Sequence, residues 1–144
     1  MNRFLTALLL CLALFWAPVQ ASNYYFDMFN GALDFQKNKF ESALKNYTLA
    51  LKSRPDSQAA LYNLGTTQLR LKQYDKAGEN LSKAAQQADK ALGAKAEYNL
   101  GNLAFAKQQL PEALKHYIKV LEMTPQDQDA KYNIQVIREL MKKQ

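Results

Sequence analysis

The string Tyr-Asn-Leu-Gly stands at Tyr62–Gly65 and again at Tyr98–Gly101, with a partial echo at Tyr132-Asn133-Ile134. The first pair is 36 residues apart and the echo follows after 34. A self-similar period of that size marks a stack of helical units, none of which can bury its apolar face alone. It constrains the chain more than any other feature. Such an array presents an extended contact surface and is seldom built for chemistry.

The period extends beyond the repeated string. Gly31, Gly65 and Gly101 are each followed twelve residues later by Ala43, Ala77 and Ala113. Four residues further come Tyr47, Leu81 and Tyr117, and three after those Ala50, Ala84 and Val120. Pro55 and Pro125 close the first and third units, with Asp89 at the matching place in the second. Two antiparallel helices pack at the close end of the usual spacing only where small residues meet at the crossing. Glycine within a helix costs ~1 kcal/mol relative to alanine, so its recurrence there points to close approach. Leu69, Phe105, Tyr74 and Leu110 are expected to fill the wedge around that crossing. Proline suits unit ends because it lacks an N–H and drives the preceding residue from helical geometry. Pro111 instead falls in the first turn of a helix, where the missing donor is harmless. The pattern predicts helices at about 24–37, 40–53, 58–71, 74–88, 94–107, 111–123 and 128–143, joined by short turns into antiparallel hairpins.

The N-terminus follows different rules. Asn2-Arg3 precedes an apolar run from Phe4 to Trp16, Pro18 breaks any helix, and Val19-Gln20-Ala21 suits a signal peptidase. These features predict a signal peptide over 1–21, cleaved before Ser22. The apolar run is short against the ~20 residues that span a bilayer, although an uncleaved membrane anchor is the alternative. Cleavage would remove Cys11, the only cysteine, so an exported product must be held by packing without disulfides. Losing Arg3 and no acid lowers the formal charge from +6 to +5, spread without any run of lysines or arginines. That distribution gives little support to a nucleic-acid surface.

These residues resemble the tetratricopeptide repeat (TPR) family over about 24–144. The family's 34-residue motif asks for a small residue eighth, alanine twentieth, an aromatic twenty-fourth, alanine twenty-seventh and proline thirty-second. The unit 94–127 meets most of these with Gly101, Ala113, Tyr117 and Pro125. The unit 58–91 keeps Gly65, Ala77 and Ala84, replaces the proline by Asp89 and adds Leu92-Gly93. The unit 24–57 departs most, placing Asp27, Asn30 and Asp34 where the family usually buries residues, which leaves the packing of its first helix open. The tail resembles a solvating cap at 128–143, with Ala130, Ile134, Ile137 and Met141 able to face the core. The resemblance implies an all-α fold, a right-handed α-solenoid of three TPR hairpins plus a C-terminal capping helix, occupying 22–144.

In the family the first helix of each pair lines a concave groove. Carried over by position, the groove residues are Tyr25, Met28, Phe29 and Ala32, then Tyr62, Asn63, Thr66 and Arg70, then Lys95, Tyr98, Asn99 and Asn102, with Tyr132 and Asn133 continuing the row. Tyrosine offers rigid apolar area with a hydroxyl, and asparagine can bond an extended backbone. The same residues could equally pack between units and tie neighbouring helices together. Some TPR domains clamp a C-terminal carboxylate, but only Asn63 and Lys95 match that arrangement, with Met28, Ala32 and Asn99 at positions that need Lys, Asn and Arg. A chaperone-tail receptor is therefore not expected.

Catalytic and metal-binding residues are scarce. His116 is the only histidine and reads as a solvated surface residue. The glycines are scattered singly, so no phosphate loop is present. A zinc site lacks its ligands once Cys11 is gone. Asn46-Tyr47-Thr48 and Asn80-Leu81-Ser82 have the form of glycosylation sequons, but repeat structure accounts for their spacing of 34 residues. No enzymatic activity, cofactor, metal, nucleic acid or small-molecule substrate is expected. The expectation is an exported, periplasmic adaptor that binds a protein or peptide partner through its groove. Tyr98–Tyr117 followed by Pro125–Ile134 is similar to small TPR proteins of bacterial aerotolerance operons, which implies partners among envelope or inner-membrane proteins, including membrane-bound von Willebrand A-type proteins. The alternative is a self-associating structural module, prompted by four aromatics within Tyr24–Phe29.

Overall fold

Each helical hairpin closes through the same turn, and that turn sets the geometry of everything after it. Asn38, Lys72 and Gln108 adopt left-handed backbone with φ of 57°, 58° and 60°. In each case the next amide donates back across the helix end: Lys39 to the Asp34 carbonyl, Gln73 to Gln68 and Gln109 to Ala104, at 2.8–2.9 Å. These are Schellman closures, which satisfy carbonyls left over at a helix C-terminus. No glycine occupies any of the three positions, and only Asn38 is of a residue type that favours this backbone.

The computed structural model describes residues 23–87 and 89–143. The expected signal peptide, its cleavage site before Ser22 and Cys11 lie outside the described residues. Among those described, the chain forms helices α1 (23–36), α2 (Phe40–Ser53), α3 (Gln58–Arg70), α4 (Tyr74–Gln87), α5 (Lys90–Ala106), α6 (Leu110–Met123) and α7 (Gln128–Lys142), and no strand. The helices divide between two compact units, one ending at Asp56 and the other running from Ser57. The all-α class expected from the period is therefore observed.

Most predicted helix boundaries lie within a residue or two of the observed ones, and the largest difference is at α5. It begins at Lys90 instead of 94, because the Asp89 carboxylate accepts from the amides of Ala91 and Leu92, both at 2.9 Å. Such a cap satisfies amides that a helix start leaves without partners. The extra Leu92-Gly93 is thereby absorbed into a helix of 17 residues instead of a longer loop. Ser57 and Asp127 cap α3 and α7 in the same manner. Pro111 lies in the first turn of α6, as its missing N–H requires.

The glycine crossings are tight. A Cβ on Gly101 would stand 2.7 Å from the Tyr117 ring, and one on Gly65 would meet Leu81 at 2.8 Å and the Ala77 carbonyl at 3.2 Å. In the first unit, Gly31 meets the Tyr47 ring in the same way. The partner filling each notch is thus chiefly the large residue sixteen positions on, with the alanine backbone close beside it at Gly65. Tyr117, buried to 2% exposure, anchors a core that joins α5, α6 and α7 through Leu110, Val120, Ile134 and Ile137. Leu81, Leu100 and Leu103 form a second core between α4 and α5, flanked by Leu69 and Tyr74.

Two core expectations need correction. Phe105 does not fill the crossing wedge but sits at the surface, because Tyr117 and Leu110 already occupy that space. Met141 is 39% exposed, because the last turn of α7 has no further helix among the described residues to close over it. The open question of the first unit is answered for Asp34. Asp34 is half-buried and accepts from the Asn46 amide at 2.9 Å, so its polarity is satisfied within the α1–α2 hairpin. Asn80 donates to Gln68 at 2.8 Å across the corresponding α3–α4 hairpin. The asparagines of both sequon-like strings therefore have a structural role on helices.

Candidate functional site: the face of α3, α5 and α7

The second unit brings together the residues that the period aligned. Asn99 on α5 donates its amide to Thr66 Oγ1 at 3.0 Å and to the Tyr62 hydroxyl at 3.4 Å, both on α3. One unit later, Asn133 on α7 donates to the Tyr98 hydroxyl at 3.1 Å. Each asparagine thus binds its helix to the tyrosine of the preceding first helix. Helices three, five and seven are laced by a polar ladder along one face, and the ladder orients the tyrosine rings rather than covering them.

Two hollows open between these rungs, each about 370 Å³, with Tyr98 shared by both. The first is lined by Tyr62, Tyr98, Lys95 and Asn99, and also by Asp127 and Asp129 at the start of α7. The second is a cup of four aromatic rings, Tyr98, Phe105, Tyr117 and Tyr132, with Val136 and Ile137 at its side. Two bonds run between polar groups of the cup: the Tyr117 hydroxyl donates to Asn102 at 2.7 Å, and the Asn133 amide donates to the Tyr98 hydroxyl. Burial, reinforced by the neighbouring Tyr98, pushes the Tyr117 phenol up to about 12, so it remains a neutral hydrogen-bonding group. Tyr132 stands 67% exposed at the rim.

Of the residues placed in the groove by position, Tyr62, Lys95, Tyr98 and Asn99 share the first hollow, and Tyr98, Asn102, Tyr132 and Asn133 share the second. Thr66 lies behind the first as an acceptor in the ladder. Asn63 is half-buried on α3, and Arg70 is exposed in its last turn. Tyr25, Met28 and Phe29 belong to the first unit, where Tyr25 and Phe29 are 62% and 66% exposed and Met28 is half-buried. There the Arg54 guanidinium lies over both the Tyr24 and Tyr25 rings, 4.4 and 4.8 Å from their centroids. Sequence reasoning missed Val136, Asp127 and Asp129 and assigned Phe105 to the crossing wedge, because only the packing of α5 against α7 brings them beside Tyr98.

A second polar cluster lies elsewhere on the α5–α6 hairpin, against Ser82 and Gln86 of α4. Glu97 is buried, with one oxygen 2.6 Å from His116 Nδ1 and the other 3.2 Å from Lys119 Nζ. Burial alone would raise the Glu97 carboxyl, but hydrogen bonds from His116 and Lys119 outweigh it and hold the group below its ordinary value. The expected solvated role of His116 is therefore wrong. Its side chain is 14% exposed, and its other ring nitrogen faces Glu112 at 3.4 Å. Nothing in linear spacing links Glu97 with a histidine nineteen residues on. Among the described residues, no group of three or more His, Cys, Asp or Glu is arranged to hold a metal. No described helix is long and apolar enough to cross a membrane.

Residues 56–123 match the family model described as the tetratricopeptide repeat. That stretch of the chain is a tetratricopeptide repeat region. Solved structures with the same fold include the Arabidopsis OM64 TPR domain, 20% identical with a TM-score of 0.78 over 83% of this chain and 98% of that one. The first TPR of Spaghetti (RPAP3), bound to the HSP90 peptide SRMEEVD, is 26% identical with a TM-score of 0.74, covering 83% and 94%. The TPR2B domain of yeast Sti1, in a pHsp70 complex, is 16% identical with a TM-score of 0.73, covering 85% and 99%. These likenesses establish the TPR α-solenoid. No curated protein matches the chain.

Proposed function

We propose that this TPR chain is an exported, non-catalytic adaptor that holds an extended segment of a partner protein against α3, α5 and α7. The observation that carries this reading is the pair of adjoining hollows on either side of Tyr98, set between the rungs of the Tyr–Asn ladder. A rigid tyrosine row gives contact area at low entropic cost, and nearby amides offer partners to a peptide backbone. The structural neighbours from Spaghetti and yeast Sti1 are complexes with HSP90 and Hsp70 ligands, which supports peptide binding as the use of this fold. The signal-like pattern of 1–21 supports a periplasmic adaptor, whose client would be an envelope or inner-membrane protein.

The test is site-specific photo-crosslinking in a bacterial host that exports the chain. A photoreactive residue in place of Tyr132 is expected to capture a discrete envelope protein, whereas one in place of Lys83, on α4, is not. Absence of any adduct at Tyr132, or identical adducts at both sites, refutes the reading. Mass spectrometry of the exported product is expected to show Ser22 first. A second reading, self-association, is favoured by the exposed Tyr25, Phe26 and Phe29 on α1. Sedimentation that does not change with concentration, or that changes equally in a Tyr25→Ala/Phe29→Ala variant, rules it out.

A further inference from the structure

The two hollows differ in chemistry, and the difference selects the peptide. The cup between α5 and α7 has no charged lining residue, and its Tyr117 hydroxyl and Asn133 amide already donate to Asn102 and Tyr98. A charged occupant would lose its hydration there without gaining a counter-charge, whereas an apolar one loses nothing. At about 370 Å³ the cup is large enough for a leucine, methionine, phenylalanine or tryptophan side chain.

The neighbouring hollow has unpaired charge. Lys95 lies on one side and Asp127 and Asp129 on the other, and neither Lys95 nor Asp129 forms an ion pair among the described residues. Asp127 commits one oxygen to the Ala130 amide and has the other to spare. The balance is one cation against two acids. That is the opposite of what a C-terminal carboxylate needs, and it favours a lysine or arginine on the partner.

Spacing links the two. On α5 the charged hollow is lined from Ala91 to Asn99 and the cup from Tyr98 to Phe105, and Lys95 and Asn102, within the two stretches, are seven residues apart. At ~1.5 Å rise per residue this is about 10 Å, or about three residues of an extended strand. We propose that the groove takes an internal, extended peptide segment whose large apolar side chain fills the cup and whose Lys or Arg, about three positions away, meets Asp127 and Asp129. This proposal rests on the groove reading and adds the class of segment to it.

The experiment is selection of peptides by residues 22–144 from two phage libraries of random dodecamers, one with a fused C-terminus and one with a free C-terminus. Enrichment in the fused library of an apolar residue with Lys or Arg two to four positions away is expected. An Asp129→Lys variant should then select Asp or Glu at the charged position with the apolar position unchanged. Tyr132→Ala, at an exposed position, should weaken the best fluorescent peptide about tenfold in anisotropy while leaving the circular dichroism unaltered. Enrichment confined to free C-termini overturns the proposal but leaves peptide binding standing. Binders without the apolar position, or insensitive to Tyr132→Ala, do the same. No enrichment in either library also overturns it, and the photo-crosslink at Tyr132 then decides the broader reading independently.

Discussion

Glycines of this chain share a residue type but do different work, and the neighbouring atoms decide which. At Gly101 a methyl would press on the Tyr117 ring at 2.7 Å, in a core where the ring is held by Asn102 and cannot withdraw. Gly101→Ala is expected to destabilise by about 1–3 kcal/mol, the usual cost of overpacking, as measured by urea unfolding. At Gly78, inside α4, the nearest atom to an added Cβ is the tip of Leu103 at 3.2 Å, which a small rotation relieves. Gly78→Ala is expected to stabilise by ~0.5–1 kcal/mol through helix propensity. Equal signs for the two substitutions would show that crossing distance is not what selects Gly101. The repeat in the sequence singled out Gly101 and left Gly78 aside, so this distinction was legible at the residue scale. The ring that presses on Gly101 was only partly legible, since alanine was expected to be the main contact.

At the scale of the element, hairpin turns and the Glu97 cluster hold neighbouring helices in register. Lys72 and Gln108 occupy left-handed backbone at a steric cost that glycine escapes. Lys72→Gly and Gln108→Gly are expected to raise stability by ~0.5–1 kcal/mol each in thermal melts, and Asn38→Gly to change it less, because asparagine tolerates that region. A loss of stability at Lys72 and Gln108 would contradict the closure described. Glu97 joins α5 to α6 through His116 and Lys119. An imidazole with a carboxylate at each nitrogen can donate to both only when protonated. Because the folded state lowers the Glu97 pKa, its contribution is fully present above the ordinary value of 4.5 and disappears as pH falls through the folded value. Glu97→Gln is expected to cost about 1.5–3 kcal/mol at pH 7, the range for charged hydrogen bonds. The gap from the unmodified chain should close as urea titrations are carried into acid below pH 4.5. A gap independent of pH would remove charge from the explanation.

At the scale of the whole molecule, an array must end on a helix that can turn one face to water. In α7, Ala130, Ile134 and Ile137 are buried on the α6 side, while Lys131, Gln135 and Arg138 are exposed. Removing 128–144 would uncover Tyr117 and Val120 and take away one wall of the aromatic cup. The truncated chain is expected to bind a hydrophobic dye and to aggregate in size-exclusion runs. A monodisperse, dye-negative product would show that α7 is dispensable to the core. The number of helices, their pairing and the crossing glycines were readable in the chain because they recur, and recurrence reflects the same local packing problem solved in each unit. Sequence alone therefore determined an all-α TPR array and the row of Tyr and Asn along its first helices. Only the tertiary structure decided that Asn99 and Asn133 bond backward to the tyrosines of the preceding unit, that His116 is buried against Glu97, and that Phe105 opens into a cup with Tyr132. Those relations join residues whose partners lie on other helices at separations the period does not encode. Their chemistry follows from distance and burial, which a linear pattern cannot carry.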